Sequence, residues 1–530
     1  MPTQKLTIKI ENVLGGQNSL KYFGKEGSFS HSLAIDPDLE ATTGDNKGSG
    51  FLVTVPTVAL TGATMDAQPL WMNTTSKDDD VYVYDRTGQV YTVTLATQVI
   101  SDLNNGAALS GSSGNGSSYY DNFQYFAKNS DICRYGRLDG ARTYNQTYWT
   151  SSLSMSPLGN GVSYPSAQRG GSGYPNHPMH VHSDDKLYVG DVMVNNGINS
   201  GKGAVHYIRT KKTTTEGDTN NGSTYNALDL GYGIWPTDID SYGTDLAIAA
   251  YEGNTTSGNT RGKRAKIFFW DTTSASFNKE VELPDPLCSA LENVNGVLYA
   301  FCGNPGQKGV RVLRFIGGYS FEEVLYLEDS CPPYAGATDH IMSRVLFGGF
   351  STLGGSGDHG CIYAIGSNIS GVSNGLFNVM RSVGNSQNLA VSSILVPENT
   401  DFVSPNYYMG IEGAATDSIE RNATTYGAAS FRSEVFRIGK EFEITSIKIP
   451  LAQAIAANMT LAVVIDTDNL STSTTVATIN STTYSGSERS VTIHPSVRGK
   501  HDFVLRLNWS GTALLTVGLP IEIEVNTWDS

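Results

Sequence analysis

Charge is scarce in this chain. Only 16% of its 530 residues are Asp, Glu, Lys or Arg, against a norm near 25%. A coiled coil or helical bundle, which depends on Ala, Glu, Lys, Leu and Arg, is thereby excluded. Apolar residues are also few, at 39%. Aromatic and β-branched residues are nonetheless frequent enough to fill cores, which excludes a disordered chain. No run of 18 apolar residues occurs, so the sequence offers no membrane-spanning helix. Cysteine is sparse: Cys133, Cys288, Cys302, Cys331 and Cys361 are odd in number and scattered, without a C-x-x-C pair. That spacing excludes a disulfide framework and a structural zinc site. Basic residues are the minority, 36 against 51 acidic, for a net charge of −15. A surface of that sign argues against nucleic acid as the main partner and against docking on anionic lipid.

The usual signatures of chemistry are missing too. There is no Gly-x-Ser-x-Gly nucleophile elbow. The segments 303–309 and 258–264 only resemble phosphate loops, and both fall where hairpin turns are expected. The basic stretch Arg261 to Lys266 reads as a hairpin tip. The acid pairs Asp36 and Asp38, Asp78 to Asp80, Asp238 and Asp240, and Asp466 and Asp468 do not complete an EF-hand loop. Two carboxylates at a channel mouth would suffice for glycoside hydrolysis, but the sialidase box Ser-x-Asp-x-Gly-x-Thr-Trp is absent. The opening residues alternate rather than form a signal core, so synthesis in a cytoplasm is expected. On that expectation the Asn-x-Ser/Thr triplets at Asn145, Asn254, Asn458 and Asn508 read as composition, not glycan sites.

What is present is glycine, 57 residues, with 27 tyrosines and many short apolar runs, the pattern of a β-rich, loop-rich protein. An apolar-aromatic strand followed by a loop and a second strand recurs along the chain. The pairs are 81–85 with 90–93, 131–135 with 147–149, 187–191 with 205–208, 246–251 with 267–271, 297–301 with 310–315, 345–350 with 362–365, and 407–411 with 435–438. They start about 54 residues apart on average, longer than solenoid repeats and suited to four-stranded propeller blades plus loops. Runs such as Ile267 to Trp270 fit middle strands covered on both faces. The reading is an all-β chain with a β-propeller of about seven blades over 66–440, preceded by an entry and closure segment, 1–65. Six or eight blades fit the same spacing. After 440, period-two strands at short spacing predict a small C-terminal antiparallel β-sandwich over 441–530. The alternating strand 6–10 either joins that module or closes the wheel. Loops 101–130, 150–176 and 210–225 belong on the surface, and aromatic residues such as Tyr119, Tyr120, Tyr148, Trp149, Tyr164 and Tyr174 are expected to cluster in loops.

The densest polar cluster holds His177, His180, His182 and Asp184, with Asp185 beside it. On a strand, His180 and His182 share one side, which suits two imidazole ligands to a metal, with Asp184 extending the set. The alternative is a blade-entry strand whose histidines face a turn or the channel. No cofactor is implied.

A propeller with Gly/Ser/Asn-rich loops, acidic balance and an appended sandwich resembles structural proteins of tailed-phage virions. Tail nozzle and hub proteins of short-tailed phages are propeller-based and assemble as rings. The resemblance spans roughly 60–440 plus the sandwich and rests on architecture and composition, not on a motif. No long tip insertion between blades is present, so nozzle, hub, adaptor and fibre-base roles are not separated. The resemblance implies a non-enzymatic virion component whose partners are other virion proteins and copies of itself, with host surface glycan as a further contact. Two rivals stand beside it: a propeller glycosidase or lyase acting on host polysaccharide, and a cellular adhesin or filament subunit.

Overall fold

A computed structural model of the chain describes residues 4–13, 15–17, 28–36, 50–53, 57–75, 80–103, 116–127, 132–140, 142–149, 177–193, 202–209, 224–252, 264–304, 307–352, 358–366, 376–381, 390–397, 406–413, 417–423, 426–484, 489–513 and 515–528. Among these residues the fold is all-β, relieved only by one 3-10 turn at Ala335–Ala337. Tyr164, Tyr174, Asp38, Asp78 and most of the loops singled out above lie outside the described residues.

Most of the chain forms four-stranded antiparallel meanders. Sheet 1 runs Pro69–Asn73, Asp80–Asp85, Val90–Thr94, Val99–Asp102, with Thr61–Gly62 added in parallel as a fifth, outer strand; sheet 2 runs Gly116–Tyr120, Phe123–Ala127, Ile132–Gly136, Thr143–Trp149. Sheet 3 is Met179–His182, Lys186–Met193, Lys202–Ile208, Thr224–Tyr232; sheet 4 is Ile234–Tyr242, Asp245–Glu252, Ala265–Trp270, Lys279–Glu282. Sheet 5 is Leu287–Val294, Val297–Gly303, Val310–Phe315, Phe321–Leu327; sheet 6 is Thr338–Ile341, Arg344–Thr352, Asp358–Ile365, Leu376–Arg381. Sheet 7 takes Ala390–Leu395, Tyr408–Glu412 and Ser418–Asn422 from late in the chain and its fourth strand, Thr57–Ala59, from early in it. The first strands touch one another in sheet order, and the first strand of sheet 7 returns to that of sheet 1. The molecule is a β-propeller with first strands inside and fourth strands outside.

Burial follows from this arrangement. Each middle strand is sandwiched between neighbouring sheets, so Leu246 to Tyr251 are buried without alternation, while Lys279–Glu282 on the rim is mostly exposed. Sheets approach so closely that some second-strand positions accept only glycine. A Cβ on Gly410 would lie 2.2 Å from Ser393 Oγ and 2.8 Å from Pro69 Cγ; one on Gly348 would lie 2.7 Å from Val391 Cγ1.

The second assembly uses both ends of the chain. Gln4–Ile10 pairs with Ile521–Thr527, which pairs with Phe442–Pro450. Facing it, Ser28–Leu33, Ala429–Ser433, Asp502–Gly511, Met459–Thr467 and Thr472–Asn480 form one sheet. Period two puts Ile521, Ile523 and Val525 from the first sheet, with Leu461, Val463, Ile465, Leu505 and Leu507 from the second, into one core.

Two expectations differ from these pairings. Residues 435–438 do not pair with 407–411: Tyr408–Glu412 pairs with Ser418–Asn422, while Phe436–Arg437 pairs with Asp502–Gly511. Both segments read as apolar-aromatic, and pattern alone does not say which sheet claims a strand. In sheet 2, the pair 131–135 and 147–149 supplies the third and fourth strands, whereas most other pairs supply the second and third. The strand that precedes it, Phe123–Ala127, is fully buried.

Candidate functional site: the inner strands of sheets 3 to 7

Inner strands line the axis of a propeller, and here they carry most of the clustered titratable groups. Their local shape is set by a bulge. The register slips between Pro236 and Asp238, Cys288 and Ala290, Val391 and Ser393, and Pro69 and Trp71. Each slip leaves one residue unopposed and turns its side chain away from the regular alternation. In sheets 4 and 7 that residue carries a hydroxyl that reaches the next sheet: Thr237 Oγ1 donates to Cys288 O at 2.6 Å, and Ser392 Oγ donates to Pro69 O at 2.6 Å.

Carboxylates reinforce the same seams. Asp238 Oδ2 accepts from Leu291 N–H of sheet 5 at 2.7 Å, and Asp339 Oδ2 accepts from Val396 N–H beyond the first strand of sheet 7 at 2.6 Å. Asn293 of sheet 5 donates its side-chain amide to Ser241 O of sheet 4. Between sheets 5 and 6, His340 Nδ1 donates to Glu292 Oε1 at 2.8 Å. Asn73 Nδ2 donates to Ser117 Oγ at 2.7 Å between sheets 1 and 2. The device recurs because a sheet-to-sheet seam exposes backbone N–H and C=O groups that must be satisfied without water.

The predicted histidine cluster belongs to this set. Met179–His182 is the inner strand of sheet 3, and the alternation does bring His180 and His182 to one target. That target is Ser241 of sheet 4, whose Oγ lies 2.6 Å from His180 Nε2 and 2.8 Å from His182 Nδ1. His182 Nε2 lies 3.1 Å from Thr244 O, which can only accept, so the proton sits on Nε2 and Nδ1 accepts from the Ser241 hydroxyl. Ser241 Oγ then accepts from His180 Nε2–H. Burial, aided by His182, lowers the His180 pKa to about 4, so it is neutral at pH 7. His177 is elsewhere. Its Nδ1 lies 3.1 Å from Gly190 O and 3.3 Å from Asp191 Oδ1. The other Asp191 oxygen is 3.2 Å from His206 Nε2, and His206 Nδ1 accepts from Asn226 N–H at 2.8 Å. Asp184 accepts from Lys186 Nζ at 2.8 Å and Tyr188 Oη at 2.7 Å. Burial works to raise its pKa, but those two bonds hold it below the usual carboxylate range. His177, His180, His182 and Asp184 therefore do not converge on one point.

The acids that do converge are Asp240, Glu292 and Asp339, on three successive inner strands, with His340. Burial raises Asp240 to about 6 and, with the Glu292 charge, Asp339 to about 7; it also raises Glu292. The bond to Glu292 raises His340 to about 9. Asp238, deeper in, is pushed up strongly by burial. Glu292, Asp339 and His340 offer donor atoms within 4.8 Å of one another, the geometry of a three-ligand cation site among the described residues. Of these, only Asp238 and Asp240 stood out in the sequence, as a pair. Glu292 lies far from the adjacent residues Asp339 and His340 in sequence, and only the shared offset of the acids from the following hairpin marks them. Asp240, Glu292 and Asp339 each sit two residues before the last paired residue of their first strand.

The remaining candidates are structural. All five cysteines are free thiols and buried. Asp36 pairs with Arg344 at 2.7 Å, both nearly inaccessible, and ties the N-terminal segment to sheet 6. Asp466 pairs with Arg506 at 3.1 Å within the terminal sheets.

No protein-family model matches the chain, and no curated protein matches it. Among solved structures, the WD40 domain of Pan2 from Neurospora crassa is similar over 70% of this chain and 97% of its own, at 7% identity and a TM-score of 0.41. The β-propeller domain of Cps50 (Swd1) from Myceliophteria thermophila is similar over 69% of this chain and 99% of its own, at 10% identity and 0.38. The computationally designed protein Ika8 gives 69%, 99%, 9% and 0.39 in the same order. The propeller itself stands on the strand order and pairing above.

Proposed function

We propose that the chain is a non-catalytic assembly platform: a seven-bladed propeller closed by Thr57–Ala59, carrying a β-sandwich built from both chain ends. One observation carries this reading. The polar groups of the inner strands are spent on holding neighbouring sheets together, through Thr237, Ser241, Asp238, Asp339 and Ser392. A rigid wheel with polar seams presents loops and rim rather than a reactive cleft. On the rim of sheet 5, Ile316, Tyr319 and Tyr326 are exposed at 56%, 45% and 44%, a suitable contact for a neighbour. The resemblance to tailed-phage tail and surface proteins supplies the setting: a ring or symmetric oligomer in a virion, with the sandwich facing a partner or the host.

Electron microscopy of the purified chain and of its native particle tests this. A closed ring, or a fixed place on a tail or capsid, is the expected result. A monomer with no particle would overturn it. The glycosidase reading keeps one observation in its favour, three raised carboxyls on adjacent inner strands. Release of reducing ends from host polysaccharide, abolished by Asp240→Asn or Glu292→Gln, would establish that reading instead.

A further inference from the structure

A cleft of about 430 Å³ opens in the terminal β-module, lined by Glu441, Phe442, Asp468, Arg498, Gly499, Lys500 and Trp528. We infer that this cleft is a saccharide-binding site for an uncharged pyranose. The inference names a ligand for the host-contact part of the proposed function.

The walls are held in place independently of any ligand. The Trp528 backbone N–H donates to Glu441 O at 3.0 Å, which fixes the residue's backbone beside the start of strand Phe442–Pro450. Asp468 sits at φ +53° and its Oδ1 accepts from Lys500 N–H at 2.7 Å and His501 N–H at 3.2 Å. One carboxylate oxygen is thus committed to the fold. The floor is Phe442 with Gly499 lying on its ring: a Cβ at 499 would meet Phe442 Cζ at 2.4 Å, so glycine is required. Arg498 stands 5.9 Å from the Trp528 ring centroid and reaches Glu443 only loosely, at 3.6 Å.

This combination selects the ligand class. A partly buried indole offers a flat apolar face with a polar edge. Around it stand two carboxylates and two cations, so the lining is formally neutral although the whole chain carries −15. An anionic polymer gains no net attraction there, and a purely apolar ligand would leave four charged groups desolvated. A pyranose meets both demands. Its axial C–H face covers the indole, and its ring-edge hydroxyls donate to carboxylates and accept from Arg498 and Lys500. The volume falls at the lower end of small-ligand sites, room for one or two sugar rings. At the ligand efficiency usual for drug-sized molecules, one hexose binds in the millimolar range. Useful avidity then needs several copies, as an oligomer would supply.

The test is saturation-transfer NMR on the full chain with neutral hexose disaccharides, and with uronate oligosaccharides as the charged comparison. Neutral sugars are expected to bind with millimolar affinity. Trp528→Ala is expected to weaken them at least about tenfold, Trp528→Phe to retain most binding, and Arg498→Ala to weaken it with no change in the unfolding midpoint. Absence of neutral-sugar binding, preference for uronates, or unchanged binding in Trp528→Ala would overturn the inference. Binding is read on the isolated chain, so failure to form a ring leaves this measurement unmoved.

Discussion

Replacing His340 by Gln should change how stability depends on pH, not only how large it is. His340 joins sheet 6 to Glu292 of sheet 5 at 2.8 Å, with Asp339 3.9 Å away and Asp240 on the inner strand of sheet 4 beyond Glu292. The bond to Glu292 and the surrounding acids raise the imidazole from 6.5 to about 9 in the folded state. A raised histidine contributes stability that is fully present below pH 6.5 and disappears as pH climbs through 9. At about 1.4 kcal/mol per pH unit, that shift corresponds to roughly 3 kcal/mol. The ring is 48% exposed, however, and solvent screens the pair, so about 1 kcal/mol is the working expectation. The raised carboxyl of Asp339, at about 7, acts in the same direction: its advantage to the folded state is present below pH 3.8 and lost as pH rises through 7.

The assay is denaturant unfolding of the wild type and His340→Gln at intervals from pH 6 to pH 9.5. The wild type should lead by about 1 kcal/mol near pH 6, and the two curves should converge above pH 9. His180 does not confuse the comparison, because its pKa, lowered to about 4, confines its effect to pH below about 6.5 and both proteins carry it. A constant difference across the range would refute the reasoning, since it would mean that His340 acts by packing or by a neutral hydrogen bond. A gap that widens with pH would reverse the sign and refute it more directly.

Other perturbations test other parts of the fold. Asp36→Ala removes the buried carboxylate that Arg344 Nη1 reaches at 2.7 Å and should cost about 3–5 kcal/mol in unfolding experiments, whereas exchanging both residues for apolar ones of similar volume should cost much less. Ser241→Ala removes the hydroxyl shared by His180 and His182, at an expected cost of about 1–3 kcal/mol, and zinc should not raise the melting temperature of either form. Gly410→Ala forces a Cβ against Ser393 and Pro69 at the join of sheets 7 and 1, and should lower stability by about 1–3 kcal/mol, measured by thermal melting.

The propeller was legible in the sequence because its middle strands are buried on both faces. Continuous runs such as Leu246 to Tyr251 and Ile267 to Trp270 stand out against a polar background, and their spacing gives the repeat. The join between the two ends of the chain was not legible. Thr57–Ala59 is three residues long with two of them exposed, and carries no strand pattern; only its pairing with Glu420, Arg421 and Asn422 reveals it. Residues 435–438 misled for the opposite reason. They look like a propeller strand, and Phe436 is recruited by Phe503 of the terminal sheets.

The same contrast explains the candidate site. Sequence spacing placed His180 and His182 on one side of a strand, which was right as geometry, but spacing does not show what stands opposite. Ser241, 59 residues beyond His182, converts a metal-like pair into a seam. The groups that do converge, Glu292, Asp339 and His340, come from two inner strands with a whole meander between them. A wheel necessarily gathers such residues, because equivalent positions of successive sheets meet at the axis whatever their separation in the chain. Side chains at that level must therefore satisfy each other or the next sheet's backbone. Asp339 does both, accepting from Val396 N–H and lying beside His340. Chemistry at the axis of this fold is first a requirement of closure, and any further use of Asp240, Glu292 and Asp339 has to be compatible with holding the seams.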